Sequence, residues 1–198
     1  MNKLRLSQID ELKEAILRLP QKEKDKLLIR LINKDQMLIK QLHFQLLENE
    51  NDLWDRHREL EVDLHESFLN LQKKWSTKNS QSVFQLLLVY LREMSGKINE
   101  HASITKSKDS ELKLRLKVIR WSIEYFPDLY TSYHSSRHAD KFFEYQKGRL
   151  KLCFGLYNKM HEDLRYEFKE DVAYVVSYVE DISTFRPLIH DYLDLLND

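Results

Sequence analysis

Three polar side chains at four-residue intervals are the first candidates for chemistry. His57, Glu61 and His65 occupy positions i, i+4 and i+8, so a helix would place them on one face. Imidazole and carboxylate groups are common ligands of zinc and iron, and a metal-binding helical bundle is therefore one alternative. The Glu-x-x-His pairs of di-iron bundles do not occur in the sequence. The favoured interpretation of the three residues is a solvated polar face.

A second histidine pair has the same spacing. His134 and His138 are four residues apart, and on one helix they could share a metal ion. Ser136 lies between them and is a favourable N-cap residue. A helix that begins at Ser136 leaves His134 outside it, so the two rings would not share a face. We expect surface histidines here, and we predict no bound metal or other cofactor.

One segment is dense in basic residues and adjoins Trp121. Basic side chains contact phosphates, and aromatic rings stack on unpaired bases. Nucleic-acid binding is therefore a second alternative, with Lys113, Arg115, Lys117 and Arg120 as the contact residues. The favoured interpretation is an exposed basic face beside an apolar one. The full set of bases in the segment is Lys106, Lys108, Lys113, Arg115, Lys117 and Arg120.

Motifs for covalent catalysis are absent from the sequence. It contains no Gly-x-Ser-x-Gly elbow, no Walker A loop and no His-Glu-x-x-His string. The single cysteine, Cys153, lies in an apolar run, whereas a reactive thiolate needs a basic and partly exposed site. We expect a buried structural cysteine and predict no catalytic residues.

Composition narrows the classes of protein further. The 198 residues include 32 Lys+Arg and 32 Asp+Glu, with three Gly and three Pro. A formal net charge of zero argues against a polybasic membrane or nucleic-acid binder, and the scarcity of Gly and Pro argues against a β-sandwich or barrel. Charge is segregated, because residues 105–159 hold 12 bases and 6 acids while residues 160–198 hold 3 bases and 10 acids. We interpret these two regions as complementary partners within the fold or a dimer.

Apolar residues recur every three to four positions along most of the chain, as is typical of amphipathic helices. The pattern predicts an all-α protein of eight or nine helices, arranged as antiparallel hairpins in a bundle or a short α-solenoid-like array. Residues 112–118 also alternate between apolar and basic, which suits a strand. Their surroundings are rich in helix formers and lack a hairpin partner, so a helix is favoured.

Polar breaks divide the chain. We predict a single all-helical domain over residues 1–198, with an N-terminal three-helix subdomain over residues 1–48. Residues 76–82 are polar and predict a loop. Residues 100–109 combine Ser, Thr and charged residues without periodicity, which predicts a flexible loop.

The longest unbroken apolar run, Leu86 to Leu91, is far shorter than the roughly 20 residues that span a bilayer. The sequence therefore predicts no membrane partner and a cytoplasmic protein, in which the lone thiol stays reduced. Helical hairpins without a catalytic set favour a non-catalytic protein–protein interaction or scaffold module. Its partner would be another protein or a second copy of the chain.

Overall fold

A computed structural model of the chain describes residues 6–75, 80–131 and 136–197. This part of the chain is all-α, as predicted: ten α-helices follow a 3-10 turn over Leu6–Gln8. It contains no strand. The helices are α1 (Asp10–Leu17), α2 (Gln21–Ile32), α3 (Gln36–Leu47), α4 (Glu50–Trp75), α5 (Ser80–Thr105), α6 (Lys108–Tyr125), α7 (Asp128–Thr131), α8 (Arg137–Tyr157), α9 (Glu162–Val179) and α10 (Arg186–Asn197).

The described chain divides into two compact units. The N-terminal unit, Met1–Glu48, contains α1, α2 and α3, and the C-terminal unit, Asn49–Asp198, contains the other seven helices. In the N-terminal unit Pro20 precedes α2, where its fixed φ suits a helix start. Asp35 caps α3 by accepting a hydrogen bond from the Leu38 amide at 3.1 Å.

The C-terminal unit is a helical bundle around α6. This helix packs against α4, α5, α8 and α9, so it buries side chains in every direction. That arrangement explains the alternation over residues 112–118. The leucines and the valine are buried, and the three bases between them contact side chains of α4 and α5. The predicted helix is confirmed. The largest fully buried side chains of the unit include Phe68, Phe84, Phe142, Phe154 and Phe185.

The predicted flexible loop over residues 100–109 is wrong. Helix α5 continues to Thr105 and α6 begins at Lys108, which leaves a connection of two residues. Ser107 caps α6 by accepting a hydrogen bond from the Ser110 amide at 3.2 Å, and Lys106 has a positive φ of 57°. The Ser and Thr residues that indicated a loop are the termination and cap of two helices.

Polar residues at two other places also belong to helix starts. Asn49 begins the N-terminal cap of α4, because its side chain accepts from the Asn51 amide at 2.8 Å and its own amide donates to Asp52 at 2.8 Å. Of the predicted loop over residues 76–82, residues 76–79 lie outside the described part, and residues 80–82 belong to α5. Polar residues at a helix start resemble a loop in the sequence, because the same side chains are favoured in both places.

Candidate functional site

The histidine and carboxylate stripe of α4 lies along α6, where it forms a row of polar contacts that we call the α4–α6 seam. The two helices run parallel, because successive residues along α4 contact successive residues along α6 in the same order. Each α4 residue contacts its own partner instead of converging on one point. The pairs are His57 with Ser110, Glu61 with Lys117, and His65 with Tyr125.

At one end of the seam Ser110 joins two histidines. Its hydroxyl oxygen is 2.8 Å from His57 Nδ1 and 2.8 Å from Nε2 of His101, which α5 contributes. A serine has one hydroxyl proton, so it donates to one ring and accepts from the other. His57 Nε2 faces Glu61 Oε2 at 3.4 Å, which favours a proton on Nε2. Ser110 then donates to His57, and His101 donates to Ser110.

Burial keeps both rings neutral at pH 7. Desolvation lowers the pKa of His57 from 6.5 to about 4; Glu61 opposes the shift, and Lys113, Lys117 and His101 add to it. Desolvation also lowers the pKa of His101, with a further contribution from Arg56. Ser110 and the two imidazoles therefore form a network of uncharged hydrogen-bonding groups at pH 7, beside the Glu61 carboxylate.

A serine, an imidazole and a carboxylate are the groups of a nucleophilic catalytic site. Here, however, the serine hydroxyl is not accessible to a substrate. His57 is 3 % exposed and Ser110 is fully buried, so a substrate carbon has no path to the hydroxyl oxygen. A groove of about 310 Å³ between α4 and α5 reaches His101 but not Ser110. The arrangement suits a polar clamp that joins α4, α5 and α6.

The interpretation of the α4 stripe as a solvated face is wrong for His57, which is buried. His65 is half-buried, and its Nε2 lies 2.6 Å from the hydroxyl of Tyr125. Within the described residues no three His, Cys, Asp or Glu side chains form a group that could hold a metal ion. The sequence argument placed three residues correctly on one face but missed their partners on α6.

The second histidine pair is described only in part. Ser136 caps α8 by accepting from the Ala139 amide at 3.1 Å, so the helix begins where the sequence argument placed it. His138 is half-buried in the first turn of α8. His134 lies outside the described residues.

The basic residues of α6 do not form the exposed face that we expected, because α6 is the central helix of its bundle. Arg115 is 5 % exposed and donates to Glu111 at 2.9 and 2.5 Å and to Asn99 at 2.7 Å. Lys117 pairs with Glu61, and Lys113 lies over the Trp54 ring at 5.6 Å. These three proposed nucleic-acid contacts therefore have partners within the unit.

Arg120, the fourth, connects the basic and acidic regions of the chain. It pairs with Glu124 at 2.7 Å and with Asp171 of α9 at 3.4 Å. Its guanidinium also lies 4.2 Å from the Tyr174 ring centroid, a cation–π distance. This contact between α6 and α9 is of the kind expected from the segregation of charge in the sequence.

A second buried polar cluster lies between α6, α7 and α8. The Gln146 amide donates to Ser122 and to Tyr130, each at 2.8 Å, and the two hydroxyls are 2.7 Å apart. Burial raises the pKa of the Tyr130 hydroxyl. Cys153 is buried, as predicted, and burial raises the pKa of its thiol to about 12.

The N-terminal unit presents a different kind of surface. Its three helices contain no buried residue. An apolar groove of about 290 Å³ lies between α2 and α3, lined by Ile32, Ile39, Leu42, His43, Leu46 and Leu47. Exposed large aliphatic side chains, at 46–74 % of their surface, are Leu6, Leu12, Leu17, Leu28, Ile29, Leu31, Leu46 and Leu47.

Comparison with known proteins identifies no relative. No protein-family model matches the chain, no curated protein matches it, and no solved structure matches it. Within the described residues no helix combines the length and the apolar character needed to cross a membrane.

Proposed function

We propose that this protein is a non-catalytic protein–protein interaction module that associates with a second copy of itself through its N-terminal unit. The supporting observation is that α1, α2 and α3 bury no residue while eight large aliphatic side chains are exposed. Soluble monomers seldom expose extensive apolar surface, and such patches commonly mark interaction sites. The groove between α2 and α3 gives this surface a shape that an apolar helix can fill.

A second copy is the occupant that the charges favour. Helix α3 carries one formal charge, Lys40, among twelve residues. The α3 side of the groove, with so little charge, selects poorly for an acidic or basic partner, whereas two copies of its apolar stripe match each other in a symmetric interface. Small helical units without disulfides commonly gain stability by oligomerisation, and the single cysteine lies outside this unit.

The α6 bases support a protein partner over a nucleic acid. Each of Lys113, Arg115, Lys117 and Arg120 contacts a carboxylate or an aromatic ring within the C-terminal unit, and releasing them for phosphates would cost those contacts. We place the protein in the cytoplasm, where its buried free thiol would remain reduced.

Sedimentation of the full-length chain over a range of micromolar concentrations tests this proposal. We expect a monomer–dimer equilibrium. Replacing Leu46 and Leu47 together by Lys should weaken the dimer about 100-fold, because two exposed apolar contacts become charged and two like charges face each other across the symmetry axis. Both side chains are at least 70 % exposed, so the folded monomer should tolerate the change.

A matched control is available in the C-terminal unit. Val62 and Val89 are each 58 % exposed, and the double change Val62→Lys with Val89→Lys should leave the dimer unchanged. A wild-type chain that sediments as a monomer at every concentration would contradict the proposal. So would equal weakening by the two double variants.

A further inference from the structure

Helix α9 carries a stripe of acidic and tyrosine side chains along one side. Its members recur every four residues, so they lie on one ridge of the helix, which we call the α9 ridge: Glu162, Tyr166, Glu170, Tyr174 and Tyr178. Tyr166 is 81 % exposed and Tyr178 is 43 % exposed, and these are the two most exposed aromatic side chains that the structure describes. Tyrosine is favoured where proteins meet, because its ring supplies contact area and its hydroxyl a hydrogen bond.

The charge that α9 presents to solvent is negative. The helix contains five acids and two bases. Both bases, Arg165 and Lys169, are half-buried, whereas Glu162, Glu170 and two further acids are exposed. Arg165 lies 3.7 Å from Glu162 and offsets part of its charge. An exposed surface of this kind attracts a cationic partner and repels an anionic one.

One tyrosine of the ridge already binds a guanidinium group from within the chain. The guanidinium carbon of Arg120 lies 4.2 Å from the ring centroid of Tyr174. The nitrogens of the same group lie 3.4 Å from Asp171 and 2.7 Å from Glu124. An aromatic ring under the guanidinium plane, with carboxylates at its edge, suits arginine in both shape and charge.

Tyr166 and Tyr178 offer related positions that are open to solvent. Glu162 and Glu170 lie one turn before and one turn after Tyr166. Tyr178 extends the position that Arg120 occupies, because its ring centroid is 5.0 Å from that of Tyr174. Twelve positions separate the two exposed tyrosines, which is about 18 Å along the helix. An extended peptide spans that distance in about five or six residues.

We infer that the α9 ridge binds an arginine-containing segment of a partner protein. Two guanidinium groups of the segment stack on Tyr166 and Tyr178, and the carboxylates beside the rings pair with them. Charge complementarity favours this occupant, since the exposed acids repel an anionic segment and gain no counter-charge from an apolar one. Lysine brings the same charge without the planar group that stacks. The inference is independent of the self-association proposed above, which concerns the N-terminal unit.

Fluorescence anisotropy with the full-length protein tests this inference. The probes are two fluorescein-labelled peptides of about twelve residues, in which serine alternates with arginine in one and with lysine in the other. The arginine peptide should bind about fivefold more tightly than the lysine peptide. The double change Tyr166→Ala with Tyr178→Ala should weaken its binding about tenfold and remove the preference for arginine. Tyr166→Phe with Tyr178→Phe keeps both rings and should retain the binding.

Glu144 of α8, whose side chain is 65 % exposed, provides the matched control for charge. Glu170→Gln should weaken binding of the arginine peptide about threefold, whereas Glu144→Gln, with the same change in net charge, should not. Equal weakening by the two changes would overturn the inference, as would equal affinities for the two peptides or no binding of either. Loss of self-association in the double alanine variant would also overturn it, because a second copy would then occupy the ridge.

Discussion

Both units are built from helix-forming residues, but they differ in how many side chains they bury. The C-terminal unit surrounds α6 with a core of fully buried aromatic and aliphatic side chains, whereas α1, α2 and α3 of the N-terminal unit bury none. The two units also differ in aromatic content. Residues 1–48 contain one aromatic residue, Phe44, and the other aromatic residues of the chain lie beyond them. Because aromatic side chains bury the most area per residue, the N-terminal unit has few of the side chains that fill the core of the C-terminal unit.

The strongest test of this contrast compares two phenylalanines. Phe68 of α4 is fully buried, and Phe68→Ala should lower the free energy of unfolding by about 3–5 kcal/mol, through lost burial and a cavity. Phe44 of α3 is half-buried, and Phe44→Ala should cost about 1 kcal/mol or less. Urea unfolding at a concentration too low for association measures both. Equal costs for the two changes would show that the N-terminal unit has a core of its own.

The buried polar cluster of α6, α7 and α8 should give an intermediate effect. Gln146 is 2 % exposed, and Gln146→Ala removes the donor that Ser122 and Tyr130 share. We expect a loss of about 1–3 kcal/mol in the free energy of unfolding. Gln45→Ala, at an exposed position of α3, should change it by less than about 0.5 kcal/mol. Chemical denaturation of both variants checks the difference, and a neutral Gln146→Ala would refute the role of the cluster as a clamp.

At pH 7 the smallest expected effect is that of His57, which appears only as a change in the pH dependence of stability. The folded-state pKa of His57, about 4, is below its ordinary value of 6.5. Between pH 6.5 and 4, the unfolded chain therefore binds a proton at His57 that the folded chain does not bind. Stability falls as pH drops through this range. Full stability is present above pH 6.5. His57→Gln should flatten this fall in urea unfolding measured at several pH values.

His43 serves as the control for that experiment, because its side chain is 57 % exposed. His43→Gln should change the profile of stability against pH less than His57→Gln does, because His57 is buried and His43 is exposed. If His57→Gln and wild type lose stability in parallel between pH 6.5 and 4, the buried histidine cluster does not carry the pH dependence.

Periodicity was sufficient to predict the fold class and the helical state of residues 112–118, since local spacing determines which residues share a face. It was insufficient for the partners of those faces. Ser110 lies in the first turn of α6 between two histidines from other helices, and no neighbouring residue in the sequence indicated either contact. Contacts between residues 53 positions apart depend on how helices pack, and no local pattern encodes that.

The basic segment of α6 also shows that a local pattern does not predict the contacts made between helices. Arg115 and its neighbouring bases resemble a phosphate-binding face when the helix is considered alone. A bundle can bury such residues if each finds a partner, and Arg115 finds Glu111 one turn earlier. A signal was present, because Glu111 and Arg115 have the i, i+4 spacing of an ion pair. The exposed leucines of the N-terminal unit gave no such signal, since a core stripe and an interaction stripe have the same period.

The connection of Lys106 and Ser107 constrains how this chain can change in length. It is two residues long, and its first residue already has a left-handed backbone. Removing one residue would leave too little chain to reverse direction between α5 and α6, and adding one would change the backbone path that sets the start of α6. A shift of that start would carry Ser110 away from both histidines and Arg115 away from Asn99. Changes in length should therefore destabilise the C-terminal unit more at this connection than at longer surface turns.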